Sequence, residues 1–253
     1  MTDPIAQAAD LIRAAKTVSV LTGAGVSKES GVPTFRDAQT GLWAKYNPEE
    51  LATRRAFEAN PKLVWDWYEF RREMVAEVAP NPGHYALADL ERHLGMLPII
   101  TQNVDNLHEM AGSTDVIHLH GEIAGHKCFY DCQGNPTRVD IRALDYDAED
   151  GPPACPHCER KSVRANVVWF GELLPEAELD RAKTVVATSD VIIVVGTSGL
   201  VQPAASLPRY TQEMGGSIIE VNPDYSMITR HADVKLEGPS GEMLPALVQA
   251  LTA

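Results

Sequence analysis

Three sets of residues in this chain have the types and spacing that chemistry needs. The first is the run from Thr22 to Arg36, which follows the apolar stretch Val18-Ser19-Val20-Leu21. Glycines closely spaced after a strand let a backbone turn approach a pyrophosphate with no Cβ in the way. The spacing begins as Gly23-Ala24-Gly25, but Lys28 stands where the ordinary dinucleotide fingerprint has its third glycine. Phe35 and Arg36 follow Pro33, and a plain nucleotide loop requires neither. The segment therefore reads as one that holds a dinucleotide and also meets its reactive end.

The four cysteines are the second set. Cys128 and Cys132 enclose three residues, Cys155 and Cys158 enclose Pro156-His157, and twenty-two residues separate the pairs. In a cytosolic chain such pairs more often hold zinc than form disulfides. Four thiolates close a tetrahedral shell, which makes a structural site rather than a catalytic one. The first pair is one residue wider than the common spacing. Free or redox-active thiols are the competing reading, and His157 is an alternative ligand.

The third set lies at two predicted strand ends. Thr101-Gln102-Asn103-Val104-Asp105-Asn106-Leu107-His108 follows Pro98-Ile99-Ile100 and sets polar side chains where open α/β sheets bind ligands. A carboxylate at Asp105 can orient a ribose hydroxyl or offset a cationic ring; the competing reading is a helix cap by Asn or Asp. In His118-Leu119-His120-Gly121, alternation puts both histidines on one face. His120 suits a general base by its pKa range, although a histidine that only makes structural hydrogen bonds is the commoner case.

Several elements must position these groups. Strand-length apolar runs recur at Val18–Leu21, Leu97–Thr101, Val116–Leu119, Val191–Val195 and Ile218–Val221, mostly unbroken, as in strands covered on both faces. Helix-like stretches such as Gly83–Leu94 and Pro175–Ser189 lie between them. The pattern predicts an α/β fold: a doubly wound, parallel, Rossmann-like sheet. Two intervals exceed a single crossover helix. Pro61–Val78 carries Leu63, Val64, Trp67, Phe70 and Met74 at near-helical spacing, and the cysteine region is irregular and polar. The expected organisation is a dinucleotide-binding domain from 1–36, 95–120 and 166–253, with a small second domain made of a helical insertion, 37–94, and a zinc-binding module, 121–165.

With 253 residues, 44% hydrophobic and 23% charged, the chain has ample core for this plan. A formal charge of −13 argues against direct nucleic-acid binding, while suiting lysine-bearing protein segments. No apolar run approaches the roughly 20 residues that span a bilayer, so no membrane partner is expected. The start, Met1-Thr2-Asp3-Pro4, lacks the blocks of a signal peptide, so a cytoplasmic location is expected.

Taken together, these pieces resemble the sirtuin family of NAD-dependent protein lysine deacylases. The resemblance is carried by Gly23-Ala24-Gly25-Val26-Ser27, Ser30-Gly31-Val32-Pro33-Thr34-Phe35-Arg36, Gln102-Asn103-Val104-Asp105 and Leu119-His120-Gly121, and by the cysteine module. Val167-Val168-Trp169-Phe170-Gly171-Glu172, Gly196-Thr197-Ser198 and Val221-Asn222 follow in the family's order. It implies that Gly23, Ala24, Gly25, Gly196, Thr197, Ser198 and Asn222 surround the diphosphate and adenosine of NAD. Phe35 and Arg36 would lie near nicotinamide, and Gln102, Asn103 and Asp105 around the ribose and nicotinamide pocket. His120 would be the base, while Val168, Phe170, Gly171 and Glu172 would flank an acyl-lysine tunnel. Cys128, Cys132, Cys155 and Cys158 would hold one structural zinc. NAD would be consumed: nicotinamide leaves and the acyl group ends on ADP-ribose.

Tyr68 and Arg71 stand three apart and share a helical face. A phenol beside a guanidinium binds a carboxylate through charge-assisted bonds, and this Tyr-x-x-Arg pair resembles the sirtuin class that removes succinyl, malonyl or glutaryl groups. An arginine packed on an aromatic ring is the alternative. Gln202 stands where close relatives often carry tyrosine, which bears on the substrate groove. The expected partners are acylated lysine side chains of proteins, met by a monomer. A general deacetylase, an ADP-ribosyltransferase or NAD hydrolase, and a non-enzymatic NAD-sensing module are the competing functions.

Overall fold

In the computed structural model, residues 3–33, 46–160 and 162–253 are described, the side chain of Pro48 excepted. Along the chain, α1 (Pro4–Ala14) leads into β1 (Val18–Thr22) and the short α2 (Gly25–Lys28). Next come α3 (Pro48–Leu51), α4 (Arg54–Ala59), α5 (Pro61–Ala76), α6 (Pro82–Leu94), β2 (Ile99–Thr101), α7 (Leu107–Ala111) and β3 (Val116–His118). β4 (Gly121–Cys128) and β5 (Val163–Val167) bracket the cysteine region. α8 (Glu176–Ala187), β6 (Val191–Val195), α9 (Leu207–Glu213), β7 (Ser217–Val221), β8 (Val234–Leu236) and α10 (Ser240–Thr252) follow.

The described residues divide into two units. The first contains the N-terminal segment, Ala79–Leu119 and Glu176–Ala253; the second contains the described part of Phe35–Val78 together with His120–Pro175.

In the first unit, six described strands form a parallel sheet in the order β3-β2-β1-β6-β7-β8. Alternation sends Val18, Val20, Ile193, Val195, Ile219 and Val221 to one face, where they join Ala8, Ile12, Leu87, Leu90, Leu244 and Leu247 of α1, α6 and α10 in one buried cluster. Leu21, Ile192, Val194 and Ile218, in between, are equally buried, and α8 and α9 lie against β3, β6 and β7. Coverage on both faces is why these strands read as unbroken apolar runs. The chain winds outward from β1 in one direction and from β6 in the other. The β1/β6 seam is therefore the point where strand order reverses, the usual ligand position in such sheets.

Local signals place the helices. α1 starts at Pro4 behind Asp3, whose carboxylate accepts the Ile5 N–H at 3.2 Å. α5 repeats this with Asn60 and Pro61. α6 begins with a reciprocal box between Asn81 and His84 and stops at Gly95, whose φ of +81° is left-handed.

The second unit is smaller and built differently. β4 and β5 pair antiparallel, with an irregularity between Glu122 and His126, and α5 lies on them. Trp65, Cys128, Val139, Cys155 and Val163 make one buried cluster, with Ile141, Leu144 and Tyr146 against it. The unit takes the described residues of 35–78 together with 120–175. Residues 79–94 lie with the sheet unit, because Leu87 and Leu90 commit α6 to the sheet's core. Residues 166–175 stay with the second unit, because β5 pairs with β4 and the Phe170 N–H donates to Ala52 O at 3.0 Å. The cysteine region is also more regular than its composition suggests, since its ends are the β4–β5 ladder.

Candidate functional site

At the carboxyl ends of β1, β2, β6 and β7, polar groups gather on a tight backbone frame. Gly25 N–H donates to Gly196 O at 2.8 Å, and Gly23 N–H to Val195 O at 3.0 Å. A Cβ on Gly25 would stand 2.7 Å from Gly196, and one on Gly23 would stand 2.8 Å from the Thr197 side chain. The glycines thus let the β1 and β6 turns meet across the seam. Gly196 itself sits at φ +59°, where a side chain is strained.

Around this frame the predicted side chains converge. Gln102 Nε2 donates to Thr197 Oγ1 at 3.1 Å, and Asn222 Nδ2 to Thr197 O at 3.0 Å. Asn103 Nδ2 donates to Ser27 Oγ at 2.9 Å. His118 meets Asn103 O through Nδ1 at 3.3 Å and Glu109 through Nε2 at 2.7 Å. Asp105 is buried, and burial pushes its carboxyl above the usual range against the pull of Leu107 N–H and Ser27. It also caps α7, accepting Leu107 N–H at 3.2 Å, so the helix-cap reading is part of its role. Ser198 is exposed and Ala24 half-buried. This is a set of hydroxyl, amide and carboxylate groups at the switch point of a parallel sheet, which suits a dinucleotide. Phe35 and Arg36 lie outside the described residues.

Beneath this group lies a network that composition and motif do not signal. Thr22 Oγ1 donates to Thr101 Oγ1 at 2.8 Å and meets His108 Nε2 at 3.1 Å. The His108 and His84 rings stand 4.9 Å apart. Burial pushes His108 down to about 3 and His84 down to about 4.

In the second unit, His120 and the Val168 segment are tied by backbone. Val168 N–H donates to His120 O at 2.9 Å, and Gly121 pairs with Val167 at a φ of +77°. The ladder therefore holds the His120 main chain beside the predicted tunnel residues. Phe170 is about half exposed, and Gly171 turns at φ +82° with open space where a Cβ would stand. Glu172 has partners of its own. Arg164 Nη2 donates to both its oxygens at 2.7 and 2.8 Å, Trp169 N–H donates at 3.0 Å, and Arg54 approaches at 3.3 Å. Burial works against the Glu172 carboxylate, but Arg164 and the Trp169 N–H outweigh it and hold its pKa low.

Tyr68 is buried, and burial pushes its phenol up to about 12. Its oxygen accepts Trp169 Nε1–H at 2.9 Å. Arg71 is partly buried, with its guanidinium 5.0 Å from the centroid of the Trp67 ring. Burial pushes its pKa down, opposed by Tyr68. The aromatic packing weighed from sequence is present here, together with the Tyr68 neighbour. Arg164 and Trp169 had no local signal as partners of Tyr68. The one cue was a lone cation inside the strand run Val163-Arg164-Ala165-Asn166-Val167.

The four thiols also belong to the second unit and lie within 4.8 Å of one another. Cys128···Cys158 and Cys132···Cys155 are each 3.8 Å. A tetrahedron with Zn–S bonds of about 2.3 Å has edges of about 3.8 Å, so the four sulfurs fit a structural zinc. Burial opposes the Cys128 thiolate, but hydrogen bonds from Ser162 and from the Tyr130 and Cys132 N–H groups bring it down to about 7.

A parallel Rossmann-like sheet with polar groups at its switch point, and a second unit with a four-thiol cluster, define the class of this protein. The Sir2 family profile matches residues 23–203. A protein of Ralstonia nicotianae named NAD-dependent protein deacylase is 48% identical over 244 residues, covering 96% of this chain and 95% of that one. A crystal structure of a Sir2 homolog–NAD complex superposes with a TM-score of 0.88 at 46% identity, covering 97% of this chain and 93% of the other. A Sir2 protein bound to a myristoylated histone peptide gives a TM-score of 0.75 at 35% identity, covering 100% of this chain and 98% of the other. This chain belongs to the Sir2, or sirtuin, family.

Proposed function

We infer that this chain is an NAD-dependent protein lysine deacylase, and propose that it favours acyl groups ending in a carboxylate, such as succinyl or malonyl. NAD-dependent deacylation is what its relative is named for, and the polar groups at the sheet's switch point suit that co-substrate. The observation that carries the finer step is the Tyr68–Arg71 pair. Tyr68 and Arg71 lie one turn apart on α5, so a guanidinium and a phenol that keeps its proton at neutral pH can meet the same anion. An acetyl group offers neither interaction. The acylated histone peptide on a relative supports protein-borne acyl-lysine as the substrate.

Each residue then has a role. Gly23, Ala24, Gly25, Thr197, Ser198 and Asn222 hold the dinucleotide, with Gln102, Asn103 and Asp105 toward its reactive ribose. Bound NAD supplies the electrophilic ribose carbon. His120 serves as general base toward a ribose hydroxyl, with its main chain held by the Val168 N–H. Val168, Phe170 and Gly171 line the path of the acyl-lysine, and Glu172 braces that segment through Arg164. Cys128, Cys132, Cys155 and Cys158 hold zinc and take no part in the reaction.

Incubation with NAD and a succinyl-lysine peptide tests the reading. Free nicotinamide with acyl-ADP-ribose is the expected result. Nicotinamide released without peptide indicates a hydrolase, and no turnover indicates a binding module. His120→Ala should lower turnover by roughly 10²–10⁴ without changing the melting profile. Arg71→Met should cost about 30-fold or more in kcat/KM on succinyl-lysine, the worth of a lost charged partner, and much less on acetyl-lysine. Equal losses on both substrates would make the chain a general deacetylase.

A further inference from the structure

We infer that Trp169 is a positioning residue for acyl specificity: its indole N–H orients the Tyr68 hydroxyl so that the phenol proton points toward an incoming carboxylate. The inference rests on the acidic-acyl reading above. Trp169 Nε1 lies 2.9 Å from Tyr68 Oη, and both residues are at most 2% exposed. The Trp N–H is a donor only, so Tyr68 accepts. That accepted bond occupies one lone-pair direction of the phenol oxygen and turns the hydroxyl proton elsewhere. Among the described residues no acceptor takes that proton. With its pKa pushed up to about 12, Tyr68 stays protonated at working pH.

The indole is itself held on several sides. Arg164 stacks on it at 3.8 Å from the ring centroid, and Glu172 fixes Arg164 with two bonds while accepting the Trp169 backbone N–H. Arg164 Nη1 also donates to Val167 O at 2.8 Å. Phe57 lies tilted at 5.5 Å from the Trp169 ring, and Tyr68 stacks at 6.2 Å. A side chain this constrained has little rotamer freedom, so its N–H direction is fixed before substrate arrives. Preorganisation of this kind favours the ligand that uses the oriented donor. A carboxylate-ended acyl group uses it, and an acetyl methyl does not.

The test is a double-mutant cycle on kcat/KM with succinyl-lysine and acetyl-lysine peptides. Trp169→Phe keeps a ring under Arg164 but removes the N–H. It should lower desuccinylation about fivefold, the worth of one neutral hydrogen bond, mainly through KM, with a much smaller change in deacetylation. In a Tyr68→Phe background the same change should cost desuccinylation no more than it costs deacetylation, because the hydroxyl it orients is gone. Equal losses on the two substrates, or the full succinyl-specific loss in the Tyr68→Phe background, would overturn the inference. If Arg71→Met is selective and Trp169→Phe is not, the positioning role fails and the acidic-acyl reading stands. If neither is selective, both fail. Melting curves of each variant keep a folding defect from passing as specificity.

Discussion

The two units hold their functional groups by different means. In the sheet unit, the site residues sit at the ends of strands buried on both faces, and most of their partners are neutral groups: Thr22 with Thr101 and His108, Asn103 with Ser27, Asn222 with a backbone carbonyl, His118 with Glu109 being the charged exception. Many apolar contacts share the task of keeping them in place. The second unit has one two-stranded ladder in its described part. It relies on an aromatic stack, a charge pair with Arg164 1% exposed, and four thiols. Each of those concentrates the task in a few strong contacts. Redundant packing tolerates loss, whereas isolated strong contacts do not.

The largest expected effect follows from the thiols. Elemental analysis should find one zinc per chain, and its removal by a chelator should abolish protection of amides in 121–165 while the sheet amides stay protected. Structural zinc is worth on the order of 10 kcal/mol in small modules, far above what this unit's short ladder supplies. Full activity in a metal-free protein would erase the contrast between the units.

Next in size is the charge pair. Glu172→Gln leaves Arg164 buried without its anion, which typically costs about 3–5 kcal/mol. The melting transition should fall accordingly. Replacing Arg164 and Glu172 together with Met and Leu should recover much of the loss. A single substitution that is neutral in thermal melts would show that the second unit has hidden reserves.

Per pH unit, the smallest effect belongs to the sheet unit. A free histidine takes up a proton near pH 6.5, whereas burial holds His108 down to about 3 and His84 to about 4. Between these values the unfolded chain binds more protons than the folded one. Stability is therefore complete above about pH 6.5 and declines as pH falls, by up to about 1.4 kcal/mol per pH unit for each ring. Melting temperatures from pH 7.5 to 4.5 should decline, and His108→Asn should flatten the curve. A flat curve in the unmutated protein would mean that these rings accept protons inside the fold.

The sheet was legible because β6 is apolar throughout and β1 and β7 each carry three apolar residues in five. β8 was not, since Val234-Lys235-Leu236 is three residues long and polar in the middle. α1 and α10 bury the stripes Ala8, Ala9 and Ile12 in one and Leu244, Leu247 and Leu251 in the other, but neither lies between two of the apolar strand runs, where a crossover helix is required. The thiols were fully legible because metal ligands reveal themselves by type and spacing. The three-residue interval placed Tyr68 and Arg71 on one helical face. What spacing cannot show is Trp169, which is 101 positions from Tyr68 and meets it only after β5 and α5 are in place.

The Arg164–Glu172 pair also carries a historical consequence. A lineage that changes either residue alone passes through a form with a stranded charge, and a marginally stable protein loses most such descendants. The two positions should therefore be inherited as a unit, both ionic or both apolar. Trp169, with its ring stacked under the cation and its backbone N–H bonded to the anion, is then shielded from drift by its neighbours' constraint as well as its own.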